Sequence, residues 1–268
     1  MKSDIKLSAM MFIEYAMFAV WWLQFASYLD VLNTSALMKS LILSTIPFGC
    51  MVSPLIGMFA DRFFEGQRVL AFLYALFALA PFGAALTANH ALLFAFLLIA
   101  MFAYIPTWAL SNALAMAHCK NSKFALVRMF GSIGWASSAL VSLAAVSLFG
   151  LEKFDSTELP LCCASALALI GAAIALFLPK TPPLAKGKKF SLIDALGLRS
   201  LLMLKDRNFA SFTICSFLAF IPFTLYWSYF STFLRSKGFS YLTLTTNISQ
   251  LSQILVMPLL PLCSENSA

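Results

Sequence analysis

Long apolar runs separated by short polar connections dominate this chain from one end to the other. A helix needs about 20 predominantly apolar residues to cross roughly 30 Å of hydrocarbon, and each run approaches that length. The first run is too long for a cleavable signal peptide, so we expect it to be retained. The pattern predicts eight membrane-spanning helices, at residues 7–29, 38–60, 68–87, 91–117, 125–149, 159–178, 209–234 and 244–262.

A polar, basic segment that begins with Pro179 and ends near Arg207 separates six of these spans from the last two. Six helices, a long linker and a second bundle are typical of the major facilitator architecture. We therefore predict an all-α polytopic membrane protein with a six-helix half (1–179), a cytoplasmic linker (180–207) and a truncated second half (208–268). Apolar and polar residues alternate at helical spacing in residues 191–204, which predicts a short interfacial helix.

Composition supports the membrane class, since 61% of the residues are hydrophobic and only 11% are charged, whereas soluble domains carry roughly 25% charged residues. The net charge of +7 follows topology, because basic residues cluster at alternate connections. This distribution predicts that the N-terminus lies in the cytoplasm and that the protein resides in the cell inner membrane. The expected partner of the basic residues is the lipid bilayer and not nucleic acid. The basic residues on the predicted cytoplasmic side are Lys2, Lys6, Arg62, Arg68, Lys120, Lys123, Lys180, Lys186, Lys188, Lys189, Arg199, Lys205 and Arg207.

The six cysteines show no spacing typical of a metal site or a disulfide framework, and most lie inside predicted spans. We also find no nucleophile motif and no paired carboxylates. The sequence therefore predicts no metal, no cofactor and no enzymatic activity.

A Gly-x-x-x-Asp-Arg motif follows the second apolar run, at Gly57, Asp61 and Arg62. Glycine permits close helix approach, and the two charges suit a contact that holds one conformation and releases in another. The motif predicts a conformational latch. The alternative is an ordinary charged loop end.

Arg128, Ser132 and Trp135 are spaced i, i+4 and i+7, which places them on one helical face. A guanidinium, a hydroxyl and an aromatic ring together suit a planar, polar, uncharged ligand. The alternative is that Arg128 extends back to the membrane interface, as basic residues near helix ends do.

Glu14 is the acidic residue in the interior of the predicted spans, and it begins a stripe of aromatic residues on the first helix. An intramembrane carboxyl group is a candidate proton carrier, or else a silent hydrogen-bonded residue near the rim. In the last span Asn247, Gln250 and Gln253 recur at helical spacing. Amides there either contact a ligand or bridge neighbouring helices.

Two runs are long enough to suggest a family: Phe102–Thr107, and Arg128–Trp135 with its pattern Arg, two apolar residues, Gly, Ser, apolar, Gly, aromatic. With Ile248–Ser252 they resemble the bacterial nucleoside:proton symporters, a family of the major facilitator superfamily. The resemblance extends to about residue 258. It implies proton-driven nucleoside import by alternating access.

The resemblance also implies that Arg128, Ser132 and Trp135 contact the nucleoside from the first half and Gln250 from the second. Gln253 stands where the family carries an acid, which places proton coupling there in doubt. Polar contact positions of the seventh helix are replaced by Thr224 and Trp227.

The apolar pattern is lost after Pro258. We therefore expect that this chain alone does not transport, unless a second chain supplies further helices. Two alternatives remain open: a facilitator for another small polar solute such as a sugar, and a non-transporting membrane protein that binds a partner.

Overall fold

The computed structural model describes residues 2–119, 121–151, 154–183, 198–239 and 242–256. These residues form helices and connections, without a β-strand among them. Two short 3₁₀ helices cover Phe154–Ser156 and Leu198–Lys205. The α-helices are α1 (Lys2–Val31), α2 (Ala36–Leu43), α3 (Thr45–Phe63), α4 (Gly66–Ala85), α5 (His90–His118), α6 (Asn121–Phe149), α7 (Leu159–Leu176), α8 (Arg207–Ser236) and α9 (Leu242–Val256).

Seven of the predicted spans are confirmed as helices that are long and apolar enough to cross a membrane. The eighth prediction coincides with α9, while residues 257–262 of that prediction lie outside the described part. The interfacial helix predicted at 191–204 is described only from residue 198 onward, where the chain is a 3₁₀ helix rather than an α-helix.

The second span differs from its prediction, because it is two helices, α2 and α3, joined at Ser44. Pro47 lies in the first turn of α3 and has no backbone N–H to donate to the preceding helix. The hydroxyl groups of Ser44 and Thr45 donate to the carbonyls of Leu41 and Ile42, at 2.7 and 2.8 Å. These bonds add to the backbone bonds from the Ser44 N–H to the carbonyls of Ser40 and Leu41, at 3.0 and 3.2 Å.

Helix α1 is the central element, buried over most of its length, and it packs against α6, α7 and α8. Glycines on the neighbouring helices permit this packing. A Cβ on Gly171 of α7 would lie 2.9 Å from the side chain of Ile13. A Cβ on Gly134 of α6 would overlap the backbone carbonyl of Phe12. The backbones of α1 and α6 are therefore in direct contact.

The connections group at two ends of the bundle. At the proximal end, where α1 begins, Lys123 pairs with Asp4 at 3.2 Å and Lys6 donates to the Phe177 carbonyl at 2.9 Å. Thr181, at the start of the predicted linker, donates its backbone N–H to the Gln67 side chain there, and its carbonyl accepts from the Gly66 N–H. This grouping agrees with the predicted alternation of basic connections.

We expect Gly134→Ala to destabilise the helical bundle by about 1–3 kcal/mol, as overpacking of a well-filled interface does. The new methyl group meets backbone rather than a movable side chain, so α1 must shift. Thermal unfolding of the detergent-solubilised protein measures the effect. Gly57→Ala is the matched control, since none of the described residues lies within 4 Å of its Cβ position. Equal stability of the two variants would contradict the direct contact of α1 with α6.

Candidate functional site

The predicted stripe on α6 faces α1 in the middle of the bundle. Ser132 and Trp135 are 4% and 5% exposed, and Arg128 is half-buried. The Arg128 guanidinium carbon lies 4.4 Å from the centre of the Tyr15 ring. Trp135 also contacts Tyr15, with ring centres 6.4 Å apart. Arg128 and Trp135 therefore share the side of α6 that Tyr15 covers, as the spacing predicted.

The Arg128 side chain extends into the bundle. Its Nη1 would lie 2.8 Å from a Cβ on Gly131, which is almost one helical turn further from the proximal end. An arginine that reaches back to the membrane interface runs the other way, towards Lys123. The geometry therefore favours the interior position over the interfacial one.

Trp135 meets Trp227 of α8 in a parallel stack, with ring centres 5.4 Å apart and planes at 16°. Phe18 of α1 contacts both, at 5.9 and 6.3 Å. Phe18 also stacks on Tyr104 of α5, at 4.7 Å and 8°. Aromatic rings from four helices thus form one continuous layer. Parallel rings of this kind bind flat, uncharged groups by offset stacking.

Glu14 lies one helical turn before Phe18 on the same face of α1, fully buried beside α4 and α5. The hydroxyl groups of Tyr74, Thr107 and Ser111 surround its carboxyl group. Thr107 and Ser111 donate to carbonyls of their own helix. Within the described part of the chain, hydrogen-bond partners are absent for both carboxyl oxygens of Glu14 and for the Tyr74 hydroxyl. Buried polar groups are normally paired, so this arrangement requires a functional or structural reason.

Of the residues predicted to contribute from the second half, Trp227 lies in the aromatic layer. Thr224 is exposed, and its hydroxyl donates to the Phe220 carbonyl of its own helix at 2.8 Å. Gln250 and Gln253 lie on α9, but their side chains are outside the described part. Asn247 of α9 is buried and donates to Ser138 of α6 at 3.1 Å. Asn247 therefore bridges two helices, one of the two roles considered for it.

The predicted latch residues lie at the proximal end of α3. Asp61 is exposed. The close helix approach expected at Gly57 is not found among the described residues, because its Cβ position is open. Arg62 lines a cavity of about 350 Å³ together with Phe63, Phe64, Glu65, Arg68, Pro182 and Pro183.

Sequence reasoning missed a polar cluster at the distal end, where α1 ends. Lys39 donates to Asp30 at 2.7 Å and to Thr232 of α8 at 3.2 Å, and Thr232 donates to the second oxygen of Asp30 at 3.2 Å. Arg235 of α8 donates to the carbonyl and the hydroxyl of Ser27, both at 2.9 Å. No pattern in the sequence indicates this cluster, since sequence spacing does not show which helix ends meet.

The family described as Nucleoside H+ symporter matches residues 1–266. The chain belongs to the nucleoside H+ symporter family. The family is a class of transporters and not a class of enzymes. Its multi-span membrane architecture agrees with the seven helices of this chain that are long and apolar enough to cross a membrane.

Individual relatives agree with the family. The chain is 33% identical over 264 residues to the "Putative nucleoside transporter YegT" of Escherichia coli (strain K12), which covers 97% of the chain and 62% of the relative. It is 28% identical over 220 residues to the "Xanthosine permease" of the same organism, covering 79% of the chain and 51% of the relative. The chain thus spans less than two thirds of the length of these relatives.

Solved structures support the fold. The crystal structure of the nucleoside transporter NupG superimposes with a TM-score of 0.79 at 24% identity, covering 99% of this chain and 68% of NupG. A mutant of NupG gives a TM-score of 0.83 at the same identity, covering 98% and 68%. The predicted all-α major facilitator fold is thereby confirmed.

The distal cluster provides a test of how α8 is held. We expect Lys39→Met to accelerate amide hydrogen exchange at the end of α8 about 5- to 30-fold, because a charge-assisted bond contributes about 1–2 kcal/mol to local stability. Hydrogen-exchange mass spectrometry of the detergent-solubilised protein measures this. Lys237→Met is the control, since Lys237 lies over Phe233 of its own helix. Unchanged exchange in Lys39→Met would show that the cluster does not restrain α8.

Proposed function

We propose that this chain forms the nucleoside-binding part of a proton-coupled nucleoside importer that works by alternating access. The parallel stack of Trp135 and Trp227 carries the proposal, together with Arg128, whose side chain extends into the bundle beside it. The stack lies in a member of the nucleoside H+ symporter family. A nucleoside combines a flat base with hydroxyl and carbonyl groups. Stacked rings next to hydrogen-bond donors suit both parts.

In this proposal the base enters between the two tryptophan rings, which are held by different halves of the molecule. Arg128 and Ser132 bind the polar edges of the ligand from α6. Gln250 and Gln253 of α9 complete the site from the second half. We leave Thr224 out of the site, because it is exposed and its hydroxyl is bonded within α8.

Glu14 is the proposed proton carrier. Its carboxyl group is fully buried, and the hydroxyl groups of Tyr74, Thr107 and Ser111 lie beside it. Burying a charge without a bonded partner is costly, so such a group couples protonation to rearrangement of its surroundings. Helix α1 carries Glu14 and, one turn further along the same face, Phe18 of the aromatic layer. A movement of α1 would therefore affect both sites.

We further propose that the proximal end faces the cytoplasm of a cell whose inner membrane holds the protein, since the basic residues concentrate there. The segments 1–179 and 208–268 act as the two halves, joined by 180–207, and Gly57, Asp61 and Arg62 act as the latch. The relatives are longer. Further helices, in this chain or in a second one, would complete the transport pathway.

The purified chain in lipid nanodiscs should bind nucleosides, measured with labelled uridine, adenosine and xanthosine. Arg128→Lys should weaken binding about tenfold or more, because lysine keeps the charge and loses the planar set of donors. Arg207→Gln, at the exposed start of α8, is the control and should bind normally. Labelled glucose and lactate test other solutes. Binding of a sugar but no nucleoside would refute the proposal.

Proton coupling predicts a defined pH dependence. If the proton and the nucleoside bind together, nucleoside affinity is greatest at low pH, where Glu14 is protonated, and falls as the pH rises. Glu14→Gln imitates the protonated carboxyl group, so its affinity should stay at the low-pH level throughout. Binding assays between pH 5 and pH 9 measure this.

Glu158→Gln serves as the matched control, since Glu158 is exposed before α7. It should keep the pH dependence of the parent chain. Parent and Glu14→Gln profiles that fall together with rising pH would exclude Glu14 as the coupling group and leave the nucleoside site itself untouched.

A further inference from the structure

Arg128 carries a full charge into the membrane interior, so something must stabilise it. Within the part of the chain that the structure describes, Arg128 forms no ion pair; the pairs there join Lys39 to Asp30, Arg68 to Glu65 and Lys123 to Asp4. Glu14 lies close enough to act on it electrostatically, but the two do not make a salt bridge. The described contact of the guanidinium is the face of the Tyr15 ring, at 4.4 Å.

The backbone of α6 makes room for this contact. A Cβ on Gly131 would lie 2.8 Å from Nη1 of Arg128 and 2.8 Å from Cδ2 of Tyr15. Real Cβ atoms do not approach other heavy atoms that closely. The guanidinium and the ring therefore meet over a position where any residue other than glycine would force them to move.

This contact differs chemically from an ion pair. A carboxylate partner binds the N–H groups along the edge of a guanidinium. An aromatic ring attracts the positive charge through the face of the guanidinium plane and uses none of those donors. An arginine held by a ring therefore keeps its charge stabilised and its donors available for a ligand.

We propose that Tyr15 is a positioning residue whose ring face holds Arg128 over Gly131, so that the arginine presents its N–H groups to the ligand beside Trp135. Tyr15 contacts Trp135 as well as Arg128, so one side chain sets the position of both ligand-binding groups. In this proposal the ring face holds the guanidinium, and Tyr15→Phe tests it against a hydrogen bond from Arg128 to the phenolic oxygen. The role in ligand binding rests on the proposed function, whereas the placement of Arg128 does not.

The placement is tested without ligand by ¹⁵N–¹H NMR of the arginine Nε–H groups in nanodiscs, with Arg128 assigned from the signal that disappears in Arg128→Lys. The ring current of Tyr15 should shift this proton upfield from the other arginine signals. Tyr15→Phe should keep the shift, and Tyr15→Leu should abolish it. Tyr226→Leu, on the exposed side of α8, is the control and should have no effect.

The role in binding is tested with the same variants and a labelled nucleoside. Tyr15→Leu should weaken binding about 5- to 30-fold, the factor that corresponds to a desolvated cation–π contact. Tyr15→Phe should bind like the parent chain. Gly131→Ala keeps the tyrosine but displaces the guanidinium, so it should imitate Tyr15→Leu in both measurements and serves if Tyr15→Leu does not fold.

An unshifted Arg128 signal in the parent chain, or a shift that survives in Tyr15→Leu, would overturn the proposal. Loss of the shift or of affinity in Tyr15→Phe would also overturn it, since the hydroxyl would then be the active group. If the parent chain shows the shift but Tyr15→Leu binds the nucleoside with undiminished affinity, the positioning role is refuted. A parent chain with the shift but without nucleoside binding would refute the proposed function, while the placement of Arg128 by Tyr15 would stand.

Discussion

Direct backbone contact between α1 and α6 is the constraint on which the candidate site depends. Gly134 brings the α6 backbone against the Phe12 carbonyl, and Gly131 lets Arg128 and Tyr15 share the adjacent space. In lipid, helices gain no hydrophobic energy from meeting each other, so close packing across small residues has to hold them. With larger residues at these two positions, α1 would lie further from α6 and the guanidinium would lose its contact with the ring.

Because α1 is buried on several sides, one helix contributes to several polar and aromatic clusters. It presents Tyr15 and Phe18 to the aromatic layer and Glu14 to the hydroxyl groups of α4 and α5. At its distal end Asp30 and Ser27 hold α8 through Thr232 and Arg235. Helix α8 is thus attached to α1 and α6 at a polar cluster and at the Trp135–Trp227 stack, and α9 is attached to α6 by Asn247 and Ser138. A movement of α8 away from α1 and α6 must disrupt both of its contacts.

The sequence predicted elements well and contacts poorly. Seven spans followed from the length of the apolar runs, because only a helix or a closed barrel satisfies its backbone bonds in lipid. The face shared by Arg128 and Trp135 followed from helical spacing alone. The break at Ser44 did not, although Pro47 was a signal for it. The close packing expected at Gly57 is not seen among the described residues and stays a prediction, because a glycine permits approach but does not determine which helix lies opposite.

The sequence by itself determined the class of protein, the number and length of most helices, their alternating ends and the family, since these depend on local hydrophobicity and on residue patterns within one segment. Only the tertiary structure decided that Tyr15 contacts Arg128, that Trp227 stacks on Trp135 and that Lys39 joins α1 to α8. These partners lie in different helices, up to about two hundred residues apart in sequence. Their distances depend on how closely the helices approach, and that is determined by packing around glycines and aromatic rings from several segments at once.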